Sequence, residues 1–493
     1  MATNVMLTLC FLAAALAVYY IIPAGKRWAW LLLCSYVFYM SVDPRMALLL
    51  GGSSLWTWFA GLGLERETGE RRRRVWLWAG CAPLLGFLFL FKYLDFFVQS
   101  AAKLLGITGV HTLGLVMPLG ISYYTFKLLS YLFEIKRGNL EAERHPGYLL
   151  VYTSFFPQIL SGPIERPGNM LPRLRSPRYE GELFNRGLQR MILGLFKKMV
   201  IANRLAVYVD QIFADPAGYP ALAAWMAAFF YSIQIYCDFS GYSDLALGMS
   251  DCMGIPCREN FSLPYFSAGI REFWSRWHIS LSSWLRDYVY IPLGGSRCSR
   301  ARRNRNLMLT FLVSGLWHGD NWTFVLWGGL HGLWNMAGKK AKPDRAWKRL
   351  VSILGTFAGV TLCWIFFRAE SVSRAFGFLK RMITGFSLDF ASLQAAVLPF
   401  SGDNTCAALL LTVCGCILLL FVYELQRHIR ERRKQDHGEE GRDKDGKRGG
   451  KEAAVGSDAA GLEILTPAWT VIFLLTTILL GVFGNSAFLY AQF

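Results

Sequence analysis

Residues 307–338 read LMLTFLVSGLWHGDNWTFVLWGGLHGLWNMAG, two apolar legs joined by a polar break at Gly319, Asp320 and Asn321. Clusters of Lys and Arg flank the stretch on both sides, at 297–305 and 339–349. Basic residues beside apolar runs mark the cytoplasmic face of a membrane protein. Both ends of this stretch therefore lie inside, and the chain enters the bilayer and returns. Asn306 and His318 are twelve positions apart, about 18 Å of helix at 1.5 Å per residue. That puts His318 near the bilayer midplane, one residue before the turn.

The rest of the chain follows the same pattern. Of its 493 residues 54% are hydrophobic and only 17% charged, and uncharged runs at 5–23, 405–423 and 468–483 are each about long enough for a ~30 Å hydrocarbon core. The expected class is an all-α polytopic membrane protein. The net charge of +18 raises the question of nucleic acid, but the basic residues sit in short loops at 26–27, 71–74, 173–178, 297–305 and 339–349. The anionic lipid bilayer accounts for them, and no basic soluble domain remains to bind nucleic acid. The eleven cysteines show no zinc-like spacing and no disulfide framework, so no metal is expected. No basic side chain precedes Lys26, and the N-terminus reads as a first span entering from outside.

Alternating spans against basic loops places spans near 4–23, 29–41, 45–63, 76–98, 112–134, 187–213, 220–248, 350–367, 405–424 and 467–484, with both termini extracytoplasmic. Residues 149–164 are too short to cross and contain Pro157, Gly162 and Pro163. They read as a re-entrant segment, tolerated at depth only where protein or a water-filled cavity satisfies its backbone. Residues 250–305, with many aromatics and arginines, read as interfacial. Residues 425–462 are a charged, Gly-rich run expected to be a cytoplasmic loop without fixed structure. The expected division is a core over 1–340, further spans over 341–424, that loop, and a last span with an extracytoplasmic tail over 463–493.

Of seven histidines, His111, His145, His428 and His437 fall at boundaries or in polar loops and read as solvated. His278, His318 and His331 fall at or near membrane depth, where an ionisable group is costly and functional by default. His318 lies in Ser314-Gly-Leu-Trp-His-Gly319. An imidazole, with reference pKa near 6.5, can take a proton from an attacking hydroxyl and return it; a structural histidine bonded at a helix break is the alternative. His331, on the return leg, reads as a packing histidine. His278 could orient a substrate or anchor an interface, and its spacing does not decide.

Five stretches resemble the membrane-bound O-acyltransferase family, in its bacterial alginate O-acetyltransferase branch: 117–126 (MPLGISYYTF), 156–165 (FPQILSGPIE), 236–245 (YCDFSGYSDL), 273–287 (FWSRWHISLSSWLRD) and 314–319 (SGLWHG). The resemblance implies a curved helical bundle with re-entrant segments and a central funnel, where a donor tunnel from the cytoplasm meets an acceptor path from outside. It implies His318 as the catalytic histidine and His278 as the second, with Trp317, Asn321, Arg276 and Asp287 as supporting residues. The implied donor is an acyl-CoA, acetyl-CoA foremost, with no bound cofactor. The implied acceptor is an envelope polysaccharide, reached through an extracytoplasmic acetyltransferase of SGNH type at the cell membrane. The ending 488–493 (FLYAQF) resembles that branch's aromatic tail and makes Tyr490 a candidate acyl carrier, although Ala491 departs from the phenylalanine common there. Two other readings stay open: acyl transfer of D-alanine from a carrier protein to a teichoic-acid-type polymer, and a polysaccharide transporter with His318 as proton relay.

Overall fold

The computed structural model describes residues 5–177, 179–338, 345–400, 406–442 and 465–483. Among them every regular element is helical. Helices α1 (Val5–Ile21), α2 (Arg27–Met40) and α3 (Pro44–Arg66) open the chain. The last begins at an Asp43 cap that accepts the Arg45 N–H, with Pro44 in the first turn, where a missing N–H costs nothing. Next, α4 (Glu70–Leu88) runs through a π-turn (Phe89–Tyr93) into α5 (Leu94–Leu105), and α6 (Ile121–Arg137) closes this group. Ladders that continue through a π-turn hold an extra residue, which turns the following side chains to a new face.

The segment expected to be re-entrant is a short helix followed by irregular backbone. α7 (Pro146–Ser154) has nine residues, about 13 Å of helix, and gives way to irregular backbone. Protein groups hold this segment: the buried Lys127 donates to Tyr152 O of α7 and to the Gln158 side-chain oxygen, each at 3.0 Å, and Ser35 Oγ accepts from the backbone N–H of Phe156. After α8 (Pro167–Arg175) come α9 (Gly181–Leu195), a second π-turn (Phe196–Ala202), α10 (Asn203–Ala214) and the 32-residue α11 (Ala221–Cys252).

α9 and α11 lie antiparallel and very close. A Cβ on Gly187 or Gly194 would meet the carbonyl oxygen of Gly248 or Gly241 at 2.6 Å, so small residues at a seven-residue spacing set the approach. The buried charged side chains along this seam are paired. Lys198 meets Asp238 at 2.6 Å, Lys197 meets Asp244 at 2.9 Å, and Arg186 meets Asp251 at 3.2 Å.

Short helices α12 (Ile270–Arg276) and α13 (Ile279–Leu285), the latter ending in a π-turn (Arg286–Tyr290), lead to the hairpin α14 (Arg300–His318) and α15 (Trp322–Ala337). α16 (Ala346–Arg368), α17 (Val372–Ile383), α18 (Phe390–Val397), α19 (Cys406–Arg442) and α20 (Pro467–Leu480) complete the chain. By length and composition four helices can cross a bilayer: Pro44–Arg66, Glu70–Leu105, Ala346–Arg368 and Cys406–Arg430. The chain is a membrane protein.

Several expectations change. The span expected from 112 begins only at Ile121, because Gly114, Pro118 and Gly120 interrupt the apolar run before it, Gly114 and Gly120 with positive φ. The outer loop after α16 is folded into α17 and α18, each started by a side-chain cap, Ser371 and Asp389. The charged run expected as a loop from 425 continues α19 as far as Arg442. On it His428 is buried, not solvated, and its ring stacks on Phe266 at 5.1 Å.

Candidate active site

The α14–α15 hairpin is tight because glycines face backbone on both legs. A Cβ on Gly315 would meet Phe324 O at 2.3 Å, and one on Gly328 would meet Phe311 O at 2.3 Å. Any side chain there would push the legs apart. The turn falls at 319–321, where Asn321 caps α15 by accepting the Thr323 N–H at 3.1 Å.

His318 is the last residue of α14 and is only 2% exposed. Its Nδ1 lies 2.6 Å from Ser314 O. A carbonyl oxygen only accepts, so Nδ1 carries the hydrogen and Nε2 presents the lone pair. The ring is enclosed by Trp317 and Trp327, both at 5.0 Å between centroids, and by Phe367 at 5.5 Å.

The second imidazole stands beside it. The His278 and His318 ring centroids are 6.3 Å apart. His278 joins α12 to α13 at φ 45°, ψ 53°, a left-handed conformation that costs a non-glycine residue roughly 1–3 kcal/mol. Asn260 holds it there. Its Oδ1 accepts from Ser280 N at 3.3 Å and Ser280 Oγ at 2.8 Å, and its backbone carbonyl accepts from Ile279 N at 2.9 Å. The backbone donor at Ser280 identifies that atom as oxygen. The His278 Nδ1, 3.1 Å away, therefore donates to it, and Nε2 again carries the lone pair. Asn260 is itself oriented by donating Nδ2–H to Ser243 Oγ at 3.1 Å. Two neighbouring imidazoles thus share one tautomer. Asn260 escaped the sequence reading, since nothing in the chain marks an asparagine eighteen positions before a histidine as its partner.

Trp317 belongs to this cluster. Its ring lies 5.8 Å from His278 and 5.1 Å from Tyr123, and its buried Nε1–H has no hydrogen-bond partner among the described residues. The other expected supporting residues are turned elsewhere. Arg276 pairs with Glu272 at 3.0 Å and donates to Ser262 O. Asp287 accepts from Arg166 at 3.1 Å and Arg286 at 2.9 Å. Asn321 caps its helix and donates to Glu370 O at 2.7 Å. These are structural bonds, and they hold the elements around the histidines. His331 is fully buried, accepts from Trp274 Nε1 at 3.4 Å and packs on Trp327 at 5.0 Å, as a packing histidine would. Tyr490 lies outside the described residues.

A cavity of about 520 Å³ leads toward the pair. At one end are Arg271 and the exposed Arg286, with Arg303; at the other are Ile279 and the buried Ser314. Arg303 and Ser314 are eleven positions apart on α14, about 17 Å. The cavity therefore runs from a basic face to the residue that follows His278 and the residue whose carbonyl holds His318. Trp274 and Phe311 line it between.

Residues 144–343 match the membrane-bound O-acyltransferase family. The chain is 37% identical to a probable alginate O-acetylase, AlgI, of Azotobacter vinelandii, over 78% of this chain and 77% of that one. It is 34% identical to a peptidoglycan O-acetyltransferase of Helicobacter pylori over 74% of this chain and 76% of that one. A teichoic acid D-alanyltransferase of Bacillus subtilis is 31% identical over 49% of this chain and 66% of its own length. These relatives decide against the transporter alternative. On the family match and these relatives, the chain belongs to the membrane-bound O-acyltransferase family and is a membrane-embedded O-acyltransferase.

Proposed function

We propose that the enzyme moves an acetyl group from cytoplasmic acetyl-CoA toward hydroxyls of an extracytoplasmic polysaccharide, with His318 as general base. The observation that carries this reading is the His318 tautomer: Nδ1–H is committed to Ser314 O, which leaves Nε2 as the proton acceptor where the basic cavity ends. The three arginines along that cavity suit the phosphates of a CoA thioester, and its apolar inner wall suits the pantetheine arm. Nε2 takes the proton of the acceptor hydroxyl as its oxygen attacks the thioester carbonyl. The C–S bond then breaks, and the imidazolium returns the proton to the leaving thiolate, giving an ester and free CoA. The unused Trp317 N–H is the candidate donor to the oxyanion formed between these steps. His278, whose Nε2 lone pair beside the first imidazole can only accept, orients a second hydroxyl of the acceptor, since the attacking hydroxyl gives its one proton to His318.

The alginate and peptidoglycan acetyltransferase relatives support an envelope polysaccharide as final acceptor. The greater coverage of these relatives than of the D-alanyltransferase favours acetyl over D-alanyl. The basic loops favour the cytoplasmic membrane with both termini outside. We extend the reading to Tyr490 as acyl carrier to an extracytoplasmic SGNH-type transferase. Support comes from the end of α20: Val482 N donates to Met199 O at 3.0 Å, and Asn203 and Arg204 donate to Val482 O and Leu480 O. Met199 follows Lys198, whose partner Asp238 precedes Phe239, the ring packed on His278 at 4.7 Å. The end of α20 is thus tied to the π-turn at Phe196–Ala202 and to α10, and the eight residues from Val482 to Tyr490 reach at most about 26 Å.

The test is mass spectrometry of the envelope polysaccharide and of the C-terminal peptide, with the gene deleted and restored as wild type or His318→Ala. O-acetyl groups should vanish on deletion and return only with the wild type. Full acetylation by a folded His318→Ala enzyme would overturn the reading, and D-alanyl esters in place of acetyl would correct the donor.

A further inference from the structure

The side chains that hold the carboxyl end of α14 come from the π-turn between α4 and α5, more than two hundred positions away in the chain. The last carbonyls of a helix have no partner within it and must find one elsewhere. Here Lys92 Nζ donates to Trp317 O at 2.7 Å and to Ser122 Oγ at 3.3 Å, and the Tyr93 hydroxyl donates to Leu316 O at 2.9 Å. Two successive residues of one π-turn cap two successive carbonyls. Lys92 is only 5% exposed, and its ammonium also lies over the Trp317 ring at 6.0 Å from the centroid.

A buried lysine is expensive, and a helix end can be capped by neutral donors such as the neighbouring tyrosine. The bonds Lys92 makes go to the residue immediately before His318 and to the ring beside both imidazoles. We infer that Lys92 is a positioning residue for acyl transfer: it holds the carbonyl and indole of Trp317, and through them fixes the His318 ring in its attacking orientation. The inference rests on the reading of His318 as general base. A shift of about 1 Å at the reacting groups is enough to cost ~10²-fold in rate, so the clamp acts on turnover, and Lys92 is not among the residues lining the donor cavity.

The experiment uses inside-out membrane vesicles holding the full chain, supplied with acetyl-CoA labelled in the acetyl group. CoA release and alkali-labile label are followed for Lys92→Met, Lys92→Arg, Tyr93→Phe, His318→Ala and the Lys92→Met/His318→Ala double variant. Lys92→Met should lower kcat by about 10–100-fold with KM for acetyl-CoA within about threefold. Lys92→Arg, which keeps charge and donors, should recover most of the rate. Residues that act as one unit are far from additive, so in the His318→Ala background Lys92→Met should cost less than about threefold. Wild-type kcat in Lys92→Met, or the same fold loss in both backgrounds, overturns the clamp. If Lys92→Met does not fold, Tyr93→Phe carries the test, since it removes one hydroxyl only; a drop of about 3–10-fold in kcat is expected, and a wild-type rate overturns the inference. His318→Ala at the wild-type rate removes the general-base reading itself. Lys92→Met at the wild-type rate beside an inactive His318→Ala removes only the clamp.

Discussion

Two regions of this molecule bury polar side chains inside a helical bundle, and they do so in opposite ways. Along the α9–α11 seam every cation described above faces an anion: Lys198 with Asp238, Lys197 with Asp244, Arg186 with Asp251. Around the α14–α15 turn the central groups are neutral imidazoles, each bonded through Nδ1 to a carbonyl oxygen and each presenting a lone pair at Nε2. A buried indole N–H beside them has no partner among the described residues, and a cavity ends next to them. Depth in the membrane is therefore not what separates a reactive group from a structural one. The difference is that the seam pairs opposite charges with one another, whereas the turn gathers two imidazoles and an indole N–H beside a cavity.

That contrast can be broken by experiment. The largest effect expected is on chemistry: His318→Ala should lower acyl transfer by about 10²–10⁴-fold, the usual worth of a positioned general base, while the melting temperature of the purified protein stays near that of the wild type. The seam should respond in the reverse sense. Lys198→Met leaves Asp238 buried and uncompensated, which costs about 3–5 kcal/mol, read as lost yield and a lower melting temperature in detergent; the double variant Lys198→Met/Asp238→Leu should restore much of it. Equal loss of stability in the single and double variants would erase the distinction between the two regions.

Smaller effects sharpen the picture. Asn260→Ala frees His278 to adopt the other tautomer and relaxes its left-handed backbone, so kcat should fall by about 10–100-fold. Steady-state kinetics that show only a KM change would mean that His278 serves donor binding instead. Least of all, Asn321→Ala removes a helix cap worth about 1 kcal/mol. It should lower the melting temperature slightly and leave kcat within about threefold, and a large loss of turnover would return Asn321 to the chemistry.

Much of this was legible in one dimension. The hairpin of 307–338, its turn at 319–321 and the re-entrant break after Ser154 follow from apolar runs, glycines, prolines and flanking charge, all of which act over a few residues. His318 stood out because an ionisable side chain between two apolar legs is costly, although a structural histidine at a helix break stayed an alternative until the family resemblance was added. The same local logic misplaced His428, which reads as solvated among charges and is covered by Phe266 from an interfacial segment far upstream. The resemblance over 273–287 also drew Arg276 and Asp287 toward the histidines, while their ion pairs point to Glu272, Arg166 and Arg286.

What the chain alone determined is the membrane class, the α14–α15 hairpin, and the histidine at its tip, since hydrophobic run length and flanking charge are properties of contiguous residues. Which nitrogen of His278 holds the proton, what clamps Trp317 and where the cavity ends were decided only by tertiary structure. Each depends on a contact between distant segments: Asn260 with His278, Lys92 with Trp317, Ile279 with Ser314 across one cavity. No periodicity records such meetings, because hydrogen bonds and cavities are set by which helix faces pack together, and that is a property of the whole bundle.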